Sequence, residues 1–270
     1  MNNKNEILGI IAGGGQFPLL VAGAAKKLGI HVVAVAHLGE TDESLADIAQ
    51  ETEWIRLGQL GQLIKLLRKR GVSRAIMAGT IKKRRMFENI RPDIKGLSLI
   101  SKLAVFHDDD ILSAVSREFS KEGIEIVSST EFLPDLIAPE GCLTKRRPTR
   151  DEREDIELGW KIAKEIGLLD IGQCVVVRQK TILAVEAIEG TDETILRGGR
   201  LGREKAVVVK VSKPKQDLRF DVPSVGPGTI ETMSKVKASV LAVEAGKSLM
   251  FEREKMLSMA DSQGISVISR

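Results

Sequence analysis

The chain has 270 residues, 43% of them hydrophobic and 29% charged, with a formal net charge of +4. This is the profile of a soluble globular protein, long enough for one large domain or two smaller ones. Aromatic residues make up 3%, with no tyrosine, which argues against a stacking surface for single-stranded nucleic acid.

Residues 1–6 are polar, with no apolar signal core, and no apolar run reaches transmembrane length, so the chain reads as cytoplasmic. Residues 7–11 form a short apolar run, 18–28 a helical segment ended by Gly29, and 31–36 a second strand. Residues 54–57 read as a strand, and 59–70 as a helix with Leu60, Leu63, Ile64 and Leu67 on one face. A strand over 74–78 ends at Gly79; 109–121 is a helix stopped by Gly123, and 124–128 a strand. Strands alternating with helices of this length predict α/β architecture, a parallel doubly wound sheet over residues 1–133.

Residues 134–150, with three prolines and the run Lys145-Arg146-Arg147, read as a linker. The pattern then changes, and 151–270 reads as an α+β domain. A helix over 149–166 leads into strands 174–178 and 181–186, separated by Gln179-Lys180. That is a hairpin pattern, although Gln-Lys is not a favoured tight-turn pair. A short helix near 192–196, a strand over 206–211, a helix over 228–245 and a final strand, helix and strand complete the chain. Cys142 and Cys174 fit no zinc or CxxC spacing and suit a reducing compartment.

Several stretches carry candidate chemistry. Gly13-Gly14-Gly15-Gln16-Phe17 lies between a strand and a helix, so its backbone N–H groups are expected to face an anion at the helix's positive end, unless the glycines form only a tight structural turn. A proline, Pro18, stands where a dinucleotide fingerprint has its last glycine, and His37 stands near the usual ribose-reading acid, which argues against NAD. Gly79, Thr80 and Lys82 follow a parallel strand and are expected at the same ligand-binding edge, unless they form only a surface turn. In His107-Asp108-Asp109-Asp110 the acids either cap a helix or hold a divalent ion. Glu186, Glu189, Gly190, Thr191 and Asp192 end a strand and start a helix. The polar, Pro/Gly-rich connection holding Lys210, Lys213, Arg219 and Asp221 reads as functional, with Asp221 a metal ligand or a water-activating base, the alternative for any one of them being a surface salt bridge.

The motifs AGGGQFP at 12–18, Ala78-Gly79, Asp108-Asp109, EAIEGTD at 186–192 and QDLRFDVP at 216–223 resemble the LpxI type of UDP-2,3-diacylglucosamine pyrophosphatase over nearly the whole chain. The resemblance implies a Mg²⁺-dependent hydrolase of lipid A biosynthesis that converts UDP-2,3-diacylglucosamine to lipid X and UMP. It also implies an N-terminal Rossmann-like domain, a C-terminal domain of its own fold, a homodimer, and peripheral work at the inner face of the inner membrane. Carried onto this chain, it makes Asp221 the foremost catalytic residue, with Glu186, Glu189 and Asp192 next. Asp108 and Asp109 are expected as further metal ligands. No nucleic-acid partner is expected. The alternatives are a Rossmann-type nucleotide-sugar enzyme or oxidoreductase, or a nucleotide-binding sensor without catalysis.

Overall fold

The computed structural model describes residues 6–81, 91–101, 108–220 and 222–270. It divides into two compact units, Met1–Pro134 and Asp135–Arg270. In the first, β1 (Ile7–Ala12), β2 (His31–His37), β3 (Glu51–Ile55), β4 (Arg74–Ala78) and β5 (Glu125–Ile126) form a parallel sheet ordered β3-β2-β1-β4-β5. Helices α1 (Phe17–Lys27), α2 (Leu45–Ile48) and α3 (Leu60–Lys69) connect the first four strands. Between β4 and β5 lie α4 (Ile94–Ile100) and α5 (Asp108–Lys121).

The central strands are near-continuous apolar runs because both faces of a parallel sheet are covered. Leu8, Ile10 and Ala12 of β1 pack with Val32 and Ala34 against Val21, Ala22 and Ala25 of α1. Leu60, Leu63, Ile64 and Leu67 of α3 are buried, as their spacing predicts. The third strand starts three residues earlier than its apolar content predicts. Its acids Glu51 and Glu53 are accommodated at a sheet edge because Arg70 pairs with both.

The second unit carries a mixed sheet ordered β6-β13-β11-β9-β7-β8. Its strands are β6 (Gly141–Cys142), β7 (Cys174–Arg178), β8 (Thr181–Val185), β9 (Val207–Lys210), β11 (Val240–Val243) and β13 (Ser266–Ser269). β9, β11 and β13 run parallel, β7 is antiparallel to both β9 and β8, and β6 is antiparallel to β13. A separate parallel pair joins β10 (Ser224–Val225) to β12 (Leu249–Met250). Strand alternation splits the core into two layers. Val175, Val177, Val207 and Val209 face Ile156, Ala163 and Ile166 of α6 (Arg150–Leu168). Cys174, Val176, Val208 and Leu241 face the other way, onto α7 (Thr191–Gly202), α8 (Pro227–Lys235) and α9 (Arg253–Ser262). The pair Gly198-Gly199 lets α7 approach closely, since a Cβ at either position would overlap Val176 or Val236.

Two expectations are corrected here. Residues 228–245 are not one helix: α8 ends at Lys235, Lys237 turns left-handed (φ 52°), and Val240–Val243 is a fully buried strand. A short apolar run carries no periodicity that separates buried helix from buried strand. Nor is 134–150 a bare linker. Gly141–Cys142 joins the sheet, and Arg146 grips Glu152, which also completes a capping box with Thr149.

The Gln179-Lys180 hairpin is held from outside. Both residues have positive φ (49° and 59°), and both backbone N–H groups donate to the buried carboxylate of Asp155, at 2.9 and 2.6 Å. An acid on α6 thus supplies what Asn-Gly would supply locally. Asp155→Ala is expected to destabilise the protein by roughly 1–3 kcal/mol, read as a lower urea midpoint, with Asp155→Asn intermediate. Equal midpoints would mean that the turn holds itself.

Candidate functional site

In the first unit the strand order reverses between β1 and β4, which opens a crevice beyond their C-terminal ends. The two turns that leave these strands are stitched together. Gly13 N–H donates to Ala78 O (2.7 Å), Gly14 N–H to Thr80 O (2.7 Å), and Thr80 N–H to Gly14 O (3.1 Å). Two of the three glycine amides expected to face an anion are therefore used by the neighbouring strand. Gly13 and Gly79 are required by close approach: a Cβ would lie 2.7 Å from Thr80 O at the first and 2.5 Å from Gly14 O at the second. Gly15 has open space around it and is needed for its φ of +83°. Gly15, Gln16, Gly79 and Thr80 are exposed along this edge, Phe17 is half-buried, and Pro18 packs on Gly79 inside the first turn of α1. Lys82 lies outside the described residues.

His37 ends β2 facing inward. Its Nδ1 donates to Ala12 O (2.9 Å), an oxygen that also accepts from the Thr41 hydroxyl (2.6 Å). Burial pushes the imidazole's pKa below its usual value, against the opposing effects of the Ala12 carbonyl and Glu40. The ring is thus a neutral strut of the turn, and no acid occupies the ribose-reading position. Asp108 and Asp109 open α5, but their side chains lie outside the described residues, so neither capping nor metal binding is decided by them.

In the second unit the sheet brings most of the remaining candidates to one edge. Because β7 runs against β9, Cys174 sits opposite Lys210, and Glu186 follows the end of β8 beside them. Cys174 is fully buried, and burial, with the nearby charges of Glu186 and Asp192, holds its thiol protonated; it is a core residue. Glu186 is buried and accepts from Gln173 N–H (3.0 Å) and the Thr191 hydroxyl (2.8 Å). Glu189 pairs with Arg197 and accepts from Ala187 N–H and the Thr194 hydroxyl. A hydrogen bond from its own backbone N–H, and then Arg197, hold its pKa below the usual value against the opposing effect of burial. Gly190 (φ 84°) turns the chain into α7, whose first turn carries Thr191 and the exposed Asp192.

The connection after β9 is fastened along its length. Lys210 Nζ donates to Ser224 O (2.8 Å), across the connection's two ends. Lys213 forms an ion pair with Asp170 (2.6 Å), and Arg219 grips Asp217 while lying over the Phe220 ring. Asp221 lies outside the described residues. Lys210 pairs with no acid among the described residues, whereas Lys213 and Arg219 are already paired. Among the described residues no three His, Cys, Asp or Glu side chains converge as a metal-ligand set.

Family models match both units: the LpxI N-terminal domain over residues 7–136 and the LpxI C-terminal domain over residues 139–268. The UDP-2,3-diacylglucosamine pyrophosphatase LpxI of Caulobacter vibrioides is 35% identical over 272 residues, covering 97% of this chain and 96% of that protein. The chain belongs to the LpxI family. Partial likenesses among solved structures include the biotin carboxylase subunit of pyruvate carboxylase, at 13% identity and TM-score 0.26 over 63% of this chain and 34% of that one. Another is phosphoribosylglycinamide synthetase from Anaerococcus prevotii, at 17% identity and TM-score 0.28 over 71% and 42%. The chain spans less than half the length of either structure.

Sequence reasoning does not single out Glu244, the most strongly fixed acid at the C-terminal edge of this LpxI chain's second sheet. It follows β11, is buried, and accepts from Lys164 Nζ (2.6 Å), Lys247 Nζ (2.9 Å), and both the N–H and the hydroxyl of Ser212 (2.9 Å each). Burial alone would raise its pKa, but the hydrogen bonds from Lys164, Lys247 and Ser212 outweigh it and hold the group at about 2. The signal that would expose Glu244, an acid closing an apolar strand, is hidden when 240–243 reads as helix.

Proposed function

We propose that this chain hydrolyses the pyrophosphate of UDP-2,3-diacylglucosamine to 2,3-diacylglucosamine 1-phosphate (lipid X) and UMP, in lipid A biosynthesis. The observation that carries the reading is 35% identity, spread over 97% of the chain, to a protein named for that pyrophosphatase activity. The inward-facing His37 supports it too, because a site that reads no dinucleotide ribose suits a single nucleotide.

In the proposed reaction a water oxygen bonds to one phosphorus while the bond from that phosphorus to the bridging oxygen breaks. The bridging oxygen leaves on the other phosphate, and the water's proton passes to a base. We assign Asp221 to activating that water or to holding the metal. We assign Lys210 to offsetting developing phosphate charge, because its ammonium has three donors and, among the described residues, Ser224 O takes one. Glu186 and Glu189 act by positioning: their carboxylates are engaged in holding Gln173, Thr191 and the entry to α7. Gly15, Gln16 and Thr80 are assigned to the nucleotide side.

Mg²⁺ prefers a few carboxylate oxygens and several waters. Asp192 fits that demand, being exposed and in no ion pair among the described residues, whereas Glu186 is buried and holds Gln173 and Thr191, and Glu189 is paired with Arg197. We therefore propose Asp221 and Asp192 as the residues that hold Mg²⁺, which when bound supplies charge offset on the phosphates. We assign the work to a homodimer acting at the inner face of the inner membrane, where a diacyl substrate is met. No described helix is long and apolar enough to cross a membrane.

Purified protein given UDP-2,3-diacylglucosamine and Mg²⁺ is expected to release UMP, and Asp221→Ala to slow release at least about 100-fold. A wild-type protein that releases no UMP overturns the reading. Undiminished release by the variant overturns the Asp221 assignment alone.

A further inference from the structure

One face of the first unit combines an excess of positive charge among the described residues with protruding apolar side chains. The buried stripe of α3 leaves Lys65, Arg68 and Lys69 together on its outer side, at helical spacings of three and four. Lys95 reaches the same place from α4, and these four cations line a groove of about 440 Å³ with one carboxylate, Glu122. That carboxylate is shared by Arg68 (2.6 Å) and Lys95 (2.7 Å), so it offsets only one of the four charges. Lys65 and Lys69 are exposed and pair with no acid among the described residues. Beside Lys95, Ile94 is 88% exposed and Leu97 55%, three residues apart on one helix face.

Each half of this arrangement has an ordinary explanation alone. Exposed lysines are common, and a single surface leucine needs no account. Their juxtaposition is what an anionic lipid surface recognises: cations meet the headgroup phosphates while apolar side chains enter the boundary beneath them. A nucleic acid would match the charge but would leave Ile94 and Leu97 in water.

We propose that the face formed by Lys65, Arg68, Lys69 and Lys95 with Ile94 and Leu97 docks this protein onto a bilayer rich in anionic phospholipid. The proposal rests on the reading that the substrate is a diacyl lipid, which must be met at such a surface. Docking would hold the enzyme where its substrate is concentrated, without any spanning segment.

The test uses the full chain and sedimentation with vesicles of phosphatidylcholine, with and without phosphatidylglycerol. The wild type is expected to partition onto the phosphatidylglycerol vesicles only and to be released by high salt. Lys65→Glu with Lys69→Glu is expected to weaken partitioning by about twentyfold or more, since each cation near such a surface contributes roughly fivefold. Ile94→Ser with Leu97→Ser is expected to weaken it at low salt as well. All four positions are exposed, so circular dichroism should be unchanged. Hydrolysis of detergent-dispersed substrate should also be unchanged, while hydrolysis of vesicle-embedded substrate falls. Wild-type binding by the charge-reversed pair overturns the proposal, as does equal binding to neutral vesicles, or binding to RNA without binding to vesicles. Vesicle binding by a protein that hydrolyses nothing overturns the pyrophosphatase reading and leaves this surface standing.

Discussion

Replacing Glu244 by leucine is expected to cost about 3–5 kcal/mol, because Lys164 and Ser212 then lose a buried anionic partner at once. The loss should be read as a lower urea midpoint for the second unit, with Glu244→Gln falling between. The wild type should also show an acid dependence that the variants lack. A carboxyl whose folded pKa is depressed contributes stability in full above its unfolded value, near 4.5, and loses it as pH falls toward about 2. Between those limits the wild-type and leucine curves should converge. Activity should fall with stability, since Ser212 begins the connection that carries Asp221, and the glutamine variant separates the two effects. If it recovers most of the midpoint but little of kcat, Glu244 positions the connection. A leucine variant with a wild-type midpoint and a flat acid profile would show that this cluster holds nothing.

How much of this was legible in the sequence depended on whether the relevant partner was near in the chain. The parallel sheet of the first unit was legible because its longer strands and helices announce themselves by local periodicity, several with a closing glycine, as in α3 between Leu60 and Gly71, whereas the four-residue α2 carries no such signal. The glycine turn was legible as a strand-to-helix turn. What its amides bind was not, because that depends on β4 lying next to β1, and on Thr80 arriving 67 positions after Gly13. His37 shows the same limit. Its place in the chain is where an acid would read ribose, yet only the packed structure turns it onto Ala12 O.

The second unit was harder for a different reason. Lys237 ends a helix run in a left-handed conformation without the glycine that usually signals it, so α8 and β11 fuse in a reading by pattern. One misplaced strand then hides the acid at its end. Arg146 illustrates the converse: it is the central residue of a basic run in a stretch that reads as a linker, but it is spent on Glu152 within the fold.

Gly79→Ala is expected to be among the most damaging single-methyl additions in the first unit, and the reason lies in what surrounds the added atom. Its φ of +92° already disfavours any side chain, and the new Cβ would stand 2.5 Å from Gly14 O, 2.9 Å from Gly13 C and 3.0 Å from Pro18 Cγ. None of these is the free end of a flexible chain, so the two turns must part. Adding a left-handed penalty of about 1–2 kcal/mol to an overpacking cost of about 1–3 kcal/mol gives a loss of roughly 2–5 kcal/mol. Gly13→Ala meets Thr80 O at 2.7 Å but has no positive φ, so it should cost less. Gly15→Ala meets nothing within 4 Å, so only its φ of +83° counts, at about 1–2 kcal/mol. Urea unfolding should therefore rank Gly79→Ala below Gly13→Ala, and Gly13→Ala below Gly15→Ala. UMP affinity, measured by calorimetry on whatever remains folded, should discriminate differently, since Gly15 is exposed on the candidate nucleotide edge while Gly13 is buried beneath it. If Gly15→Ala proved the least stable of the three, the glycines would not be there for the interlock. If it alone left UMP binding intact, the turn would serve the fold and not the ligand.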